Sequence, residues 1–122
     1  MLSQYRLYRK FYNFTVDNSG NTVHTLFDPV ALSANTFVAG GSDSPSNSSI
    51  ESNLGITREN AGIYYTDLSP YLYSTDNTYD LQWSVKYTNN VDDLVVKNLT
   101  TRFRINYRSI TNQLVIEILG NN

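Results

Sequence analysis

Apolar and polar residues alternate with a period of two over much of the chain, which is the pattern of a β-strand with one buried face. The clearest run has its apolar residues at Tyr79, Leu81, Trp83, Val85 and Tyr87, with polar residues between them. One face of this segment is therefore predicted to be buried and the other solvated, as in an antiparallel sheet.

Other segments show related patterns. Residues 99–108 alternate around Phe103 and Ile105, with a basic opposite face, and residues 63–68 form a further expected strand. Residues 114–119 are apolar on both faces, which predicts that the domain or a neighbouring subunit covers both. The residues that we expect in the core are Ile63, Tyr65, Leu81, Trp83, Val85, Phe103 and Ile105.

Turn residues separate these segments. The stretch "DNSGN" at 17–21 is typical of a hairpin turn and predicts that an aromatic strand at 5–16, irregular near Arg9, pairs with 22–27. Ser69 and Pro70 favour one short helical turn, with Ser69 as its cap. Helical periodicity is otherwise missing from the sequence, so we expect little or no helix.

These patterns predict an all-β protein: a single antiparallel β-sandwich domain over residues 1–122. Residues 1–16 are expected to form an N-terminal strand or arm, and removal of residues 1–12 is expected to leave the domain folded. Residues 33–60, rich in serine and glycine, are expected to form a long loop with at most a short strand near Phe37. Such a loop is either a projecting contact arm or a mobile surface loop.

Composition narrows the chemistry. The chain has 122 residues, no cysteine and a single histidine, so disulfides, cysteine-based zinc sites and multi-histidine metal sites are excluded. Its acidic residues are scattered beside turns, and the motifs of phosphate-binding loops and dinucleotide folds are missing. We therefore expect no enzyme activity, no catalytic residues, no metal and no cofactor.

The charge is unevenly distributed. Residues 1–16 and 97–122 are each basic, residues 17–96 are strongly acidic, and the net charge is −2. If the two ends lie side by side, one side of the domain is basic, which favours contact between copies or docking on an acidic partner. Nucleic-acid binding is disfavoured because the domain as a whole is acidic.

The segment "AGIYYTDLSPYLYSTDNTYDLQWSVKYTNNVDDLVVKNLTTRFRI", residues 61–105, resembles the immunoglobulin-like β-sandwich domains of tailed-bacteriophage virion proteins. The shared features are a Gly-x-Tyr strand, a crossing turn, a Tyr-x-Leu-x-Trp strand and a strand that ends in Phe-x-Ile. The paired cysteines of antibody domains are missing. The resemblance implies a non-enzymatic structural protein of the virion.

Within that class, the first expectation is a capsid decoration (cement) protein that bridges subunits of the head. The alternatives are a neck or head-closure (head-to-tail connector) component and a tail or fibre adaptor. The expected partners are other virion proteins, such as the major capsid protein or portal and neck proteins, together with further copies of the chain. The expected location is the virion, assembled in the host cytoplasm, since neither a signal peptide nor an apolar stretch long enough for a membrane helix is evident.

The cluster of tyrosines between Gly62 and Trp83 leaves a carbohydrate-binding module open as a further alternative. That function requires Tyr64, Tyr71, Tyr73 and Trp83 to be exposed and coplanar, whereas the alternation around Trp83 predicts a buried position. The residues that we predict for protein contacts lie in the arm, in the loop and on the basic C-terminal strand: Tyr5, Arg6, Tyr8, Arg9, Lys10, Tyr12, Phe37, Val38, Ile50, Arg102, Arg104 and Arg108.

Overall fold

A computed structural model describes residues 5–39, 49–88, 91–110 and 113–121. It confirms an all-β chain, with one short 3₁₀ turn at Pro70–Leu72. The strands are Tyr5–Lys10 (β1), Tyr12–Val16 (β2), Thr22–Leu26 (β3), Ala31–Val38 (β4), Ile56–Asn60 (β5), Ile63–Leu68 (β6), Thr78–Thr88 (β7), Leu94–Arg108 (β8) and Gln113–Asn121 (β9).

The strands form three antiparallel groups. One sheet has the order β1-β6-β5, a second has the order β4-β7-β8-β9, and β2 pairs with β3 in a separate hairpin. We call these the small sheet, the large sheet and the hairpin. The small and large sheets share one hydrophobic core, since Leu7 and Leu68 of the small sheet pack in the same cluster as Trp83. The packing of antiparallel sheets on a common core confirms the predicted sandwich.

The alternation on β7 predicts its buried face correctly. Leu81 and Trp83 are fully buried, Val85 is almost so, and Phe103 and Ile105 face the same core from β8. Trp83 has 0% of its surface exposed and lies edge-on to Phe11, with ring centroids 6.2 Å apart. This part of the predicted core is confirmed.

Ile63 and Tyr65 are corrections to the predicted core. Both are only half-buried. The side chains of β6 that face the core are those of Tyr64, Thr66 and Leu68. Consecutive tyrosines at 64 and 65 allow either parity of alternation, and a shift of one residue exchanges the two faces of a strand.

The N-terminal segment is also a correction, because it is an integral part of the sandwich. Leu7 and Phe11 are each 2% exposed, and β1 pairs along its whole length with β6. The strand is interrupted at Phe11, close to the predicted irregularity, so that β1 joins the small sheet and β2 the hairpin. Removing residues 1–12 would therefore open the core rather than release an arm.

The long loop is shorter than the predicted 33–60, because its ends are strands. β4 continues to Val38 and β5 begins at Ile56. Residues 50–54 run beside β4: Ile50 N donates to Thr36 O at 2.7 Å and Leu54 N donates to Ala34 O at 2.9 Å. Residues 40–48, the middle of the predicted contact loop, lie outside the described residues.

The predicted helical turn is present at Pro70–Leu72, but Ser69 makes no side-chain cap. The Ser69 amide donates instead to both carboxylate oxygens of Glu51, at 3.3 and 3.2 Å. Glu51 also accepts from Tyr73 Oη at 2.6 Å, so that one carboxylate joins the turn to the segment beside β4. Burial and this bond raise the pKa of the Tyr73 phenol well above its usual range.

Candidate protein-interaction surface

The hairpin of β2 and β3 carries a row of large apolar side chains that nothing in the described protein covers. Phe14 and Val16 are 68% and 70% exposed, and Tyr12 is 42% exposed. The three alternate along β2 and therefore lie on one face, with His24 opposite Phe14 at a ring distance of 4.6 Å. Neither strand of the hairpin has more than marginal contact with any other described strand. We call this row of Tyr12, Phe14 and Val16 the apolar blade.

The turn that closes the hairpin is well defined. Asp17 Oδ1 accepts hydrogen bonds from the amides of Ser19 and Asn21, each at 2.9 Å, and Asp17 N donates to Asn21 O. Gly20 supplies the positive φ, 81°, that the turn requires. The predicted "DNSGN" turn is thus confirmed, and it holds the two strands in a single register.

The base of the hairpin is attached to the sandwich by close packing and a backbone bond. Phe11 N donates to Gly62 O at 2.9 Å, just beyond the hairpin's own bond from Phe27 N to Phe11 O at 3.0 Å. Gly62 has φ 70°, and a Cβ at that position would lie 2.7 Å from Leu26 Cβ and 2.9 Å from Phe27 N. Only glycine lets the turn before β6 approach the hairpin this closely.

Asp28 reinforces the same junction. Its carboxylate accepts bonds from Arg58 Nε and Nη2 at 3.1 Å each, from Gly62 N at 2.9 Å and from Tyr64 Oη at 3.0 Å. The Arg58 guanidinium, followed by the Gly62 amide, holds the pKa of Asp28 well below its usual range. The carboxylate thus connects the end of the hairpin to β5 and β6.

A groove lies between the base of β2 and the part of the large sheet formed by the end of β7 and the start of β8. It has a volume of about 390 Å³, and among the described residues no acidic side chain lines it. Lys10 and Lys97 are exposed at this groove and make no ion pair with any described residue. The apolar residues that line it are Phe11, Tyr12, Phe14, Phe27, Val85, Tyr87 and Leu99. We call this feature the basic groove.

The predicted contact residues of β1 do not form one free surface. Arg6 bonds to Asp67 at 2.8 Å and lies over the ring of Tyr65, 4.0 Å from its centroid. Tyr8, which is 46% exposed, packs against the same Tyr65 ring. These side chains cover the outer face of the small sheet. The backbone of Tyr5 pairs with Leu68, and its side chain lies outside the described parts.

Arg9 is a correction, because it points inward between the two sheets. Its Nη1 donates to Asn121 Oδ1 at 2.8 Å, to Thr101 Oγ1 at 3.2 Å and to Thr100 O at 3.5 Å, and burial lowers its pKa. Thr101 Oγ1 also accepts from Trp83 Nε1 at 3.2 Å. Arg9 thus joins β1 to the middle of β8 and to the last residue of β9. The hydrogen-bonded neighbour of β1 is β6, so β1 is not paired with the C-terminal strands.

The basic strand is largely neutralised by acids on its neighbours. Arg102 pairs with Asp80 at 2.8 Å and Arg104 with Glu117 at 2.9 Å, and Glu117 is also bonded to Asn106. The Arg104 contact holds the pKa of Glu117 below its usual value. Arg108 is exposed at the end of β8. The described residues therefore do not form a uniformly basic side.

The loop residues predicted for contacts have divergent environments. Val38 is exposed at the end of β4, Phe37 is half-buried on the outer face of the large sheet opposite Asp80, and Ile50 packs against the core. Ile50 is a correction, since it stabilises the sandwich. On β9, Ile118 and Leu119 remain exposed, so one part of the doubly apolar strand has no cover in the described protein.

The tyrosine cluster does not form a sugar-binding platform. Trp83 and Tyr73 are buried and Tyr64 is half-buried, whereas Tyr71 is 78% exposed. The four rings thus fail the requirement of a coplanar exposed face, and the tyrosines between 62 and 83 serve mainly the core.

The surface that sequence reasoning missed is the outer part of the hairpin. Phe14, Val16 and Lys97 were not among the predicted contact residues, although Tyr12 and Lys10 beside them were. The period-two alternation of Tyr12, Phe14 and Val16 was the available signal, but alternation alone does not reveal whether a face is covered.

The described residues hold no group of three or more side chains suited to a metal ion, and no described helix is long and apolar enough to cross a membrane. Comparison with family models, with curated proteins and with solved structures finds no match.

Proposed function

We propose that the protein is a non-enzymatic structural subunit that docks on a neighbouring protein through the apolar blade. The observation that carries this proposal is the exposure of Phe14 and Val16 on a hairpin whose base is tightly attached. A two-stranded hairpin is marginal in water by itself, and covering large apolar side chains contributes about 1.5–3 kcal/mol each. The blade thus offers a partner a defined and energetically useful surface.

The finer proposal is a virion structural protein of a tailed phage, with capsid decoration as its role. It rests on the resemblance of residues 61–105 to immunoglobulin-like virion domains, and the sandwich architecture is compatible with it. A decoration protein must present a surface to a shell while keeping its own core intact. The blade and the sandwich supply these two properties separately.

The test uses purified native particles of the phage that encodes the chain, with variants supplied in place of the natural protein. Phe14→Ser with Val16→Ser should fold but fail to enter the particle. Val23→Ser is the matched control, because it lies on the opposite face of the same hairpin, and it should enter normally. Normal incorporation of the double variant would contradict the docking role.

The number of copies in the same particles tests the finer proposal. Decoration of a shell predicts hundreds of copies per particle, whereas a neck or tail position predicts about a dozen. Absence of the protein from particles altogether would reject the virion assignment. Docking through the blade would then have to be tested with the protein's actual partner.

A further inference from the structure

The basic groove and the free edge of β2 form a second recognition site, which shares Tyr12 and Phe14 with the apolar blade but also includes Lys10 and Lys97. We propose that they bind an extended acidic segment of a partner protein, which adds as a strand to the free edge of β2 and inserts a large apolar side chain into the groove. This inference rests on the proposed function, because the inference and the proposed function both require a protein partner at the hairpin. The inference goes further, because it specifies the conformation and the charge of the partner segment.

The free edge of β2 follows from its hydrogen bonds. Phe11 O accepts from Phe27 N at one end of the hairpin ladder, and Asp17 N donates to Asn21 O at the other. Since bonded positions alternate in an antiparallel pair, the residues at 12, 14 and 16 direct their N–H and C=O groups away from β3. No other described strand pairs with β2. These groups can accept one more strand.

The groove supplies a pocket next to that edge. Phe11 and Val85 are buried in it, and Phe27, Tyr87 and Leu99 are half-buried around them. The cavity of about 390 Å³ is large enough for an aromatic or branched aliphatic side chain. A strand that lies along β2 directs alternate side chains to the same side, so one of them can enter the pocket while the backbone pairs.

Charge determines which segment fits. Lys10 and Lys97 lie at the groove, where no described acid lines the wall, and Arg9 adds a third positive charge from within. Elsewhere the guanidinium groups of Arg6, Arg58, Arg102 and Arg104 are paired with carboxylates. The groove is therefore complementary to carboxylates that flank an apolar side chain, and it repels a basic segment.

The experiment is selection of a displayed library of random decapeptides against the full-length protein. We expect the enriched peptides to combine one large apolar residue with two or more acids. The chosen peptide should lose roughly tenfold or more of its affinity for Lys97→Glu and for Lys10→Glu. Lys86→Glu is the matched control, because it makes the same change on the outer face of β7, and it should leave the affinity unchanged.

Strand addition has its own test, in which the two alternate sets of backbone nitrogens of the chosen peptide are methylated in two separate peptides. Methylation of the set that faces β2 should abolish binding, because those nitrogens can no longer donate, whereas methylation of the other set should not. Equal binding of both methylated peptides, enrichment of basic or neutral peptides, or failure to enrich any peptide would each overturn the inference. The inference would also be overturned if sedimentation showed that the protein is a dimer and that Lys97→Glu dissociates it, because a second copy of the chain would then occupy the groove.

These variants leave Phe14 and Val16 in place. Loss of peptide binding in Lys97→Glu with normal function of the apolar blade would support the groove as a separate site. Conversely, failure of the peptide experiment leaves the particle test of Phe14→Ser with Val16→Ser valid. The two proposals can therefore fail independently.

Discussion

Strands β7 and β2 carry the same alternation of large apolar residues, yet only β7 is covered. Trp83 is 0% exposed at the centre of the large sheet, whereas Phe14 is 68% exposed on the hairpin. Both strands are paired in register, so the difference does not come from secondary structure. It comes from what packs on the apolar face: the small sheet covers β7, and no described element covers β2. An uncovered apolar face on a regularly paired strand is typical of a protein-interaction surface.

The boundary between the two regions is sharp. At Phe11 the chain leaves the core, and within one residue the side chains of β2 become exposed. Gly62, Asp28 and Arg58 hold this boundary through close approach and hydrogen bonds. The protein thus separates the residues that stabilise the sandwich from those available for contact, and variants on each side should have different effects.

The largest expected effect is that of Trp83→Ala, which removes the centre of the core. We expect the free energy of unfolding to fall by about 3–5 kcal/mol, as for other large buried truncations. Tyr71→Ala is the control, because it removes an exposed ring from the same aromatic segment and should change stability by about 0.5 kcal/mol or less. Chemical denaturation of both variants gives the comparison. Equal losses would show that Trp83 is not the core residue described.

The next effect is at the boundary. Gly62→Ala places a Cβ against Leu26 and the Phe27 backbone at a positive φ, so we expect a loss of about 1–3 kcal/mol. Gly55→Ala is the control, since a Cβ there meets nothing within 4 Å. Thermal unfolding of the two variants measures the difference. An undiminished melting temperature for Gly62→Ala would contradict the close attachment of the hairpin.

Asp28 makes the boundary sensitive to acid. The pKa of Asp28 is lower in the folded protein than its value of about 3.9 in the unfolded chain. The stabilisation that ionised Asp28 gives the folded protein is therefore fully present above about pH 3.9. It is lost as the pH falls toward the folded pKa, because protonation removes the contacts with Arg58 and Gly62. The difference in melting temperature between the natural protein and Asp28→Asn should therefore shrink from pH 7 to pH 3. A difference that stays constant over this range would contradict the assignment.

An equal change of charge at Asp76, which is exposed in the turn before β7, is the control for this experiment. Asp76→Asn should show little difference from the natural protein at neutral pH. The comparison separates the local contacts of Asp28 from the general effect of one acidic charge.

The smallest expected effect on stability belongs to the apolar blade. Phe14→Ser should change the free energy of unfolding by about 0.5 kcal/mol or less, because the side chain is already largely solvated. The same variant should weaken docking on a partner, since the surface to be covered is lost. Denaturation and particle incorporation, measured on the same preparation, test the two halves of this prediction. A large loss of stability would place Phe14 in the core.

The sequence predicts the sandwich well because alternation and turns are local signals. The run around Trp83 and the turn at 17–21 were predicted correctly for that reason. Tyr64 and Tyr65 show where the signal fails: two adjacent aromatic residues do not define which face is inner, so the prediction of Tyr65 as a core residue is wrong. Only the pairing with β1, which places Leu7 opposite Thr66 on the inner face, resolves the parity.

The candidate site was predicted only in part, because it depends on contacts between distant segments. Arg9 has the sequence context of an exposed basic arm, but it lies beside Thr101 and Asn121, more than ninety positions away. Lys97 becomes a groove residue only because β8 begins next to the hairpin. The exposure of Phe14 likewise depends on whether another element packs on its face of the hairpin, and a local sequence pattern does not indicate this.

The central claim is that the apolar blade is covered only when the protein is assembled. Amide hydrogen exchange of the free protein and of the proposed virion assembly tests it most directly. We expect the amides at 12, 14 and 16 to exchange rapidly in the free protein, while those of β7 around Trp83 are protected. In the particle, the blade amides should become protected as well. If the amides at 12, 14 and 16 exchanged as rapidly in the particle as in the free protein, the claim that assembly covers the apolar blade would be contradicted.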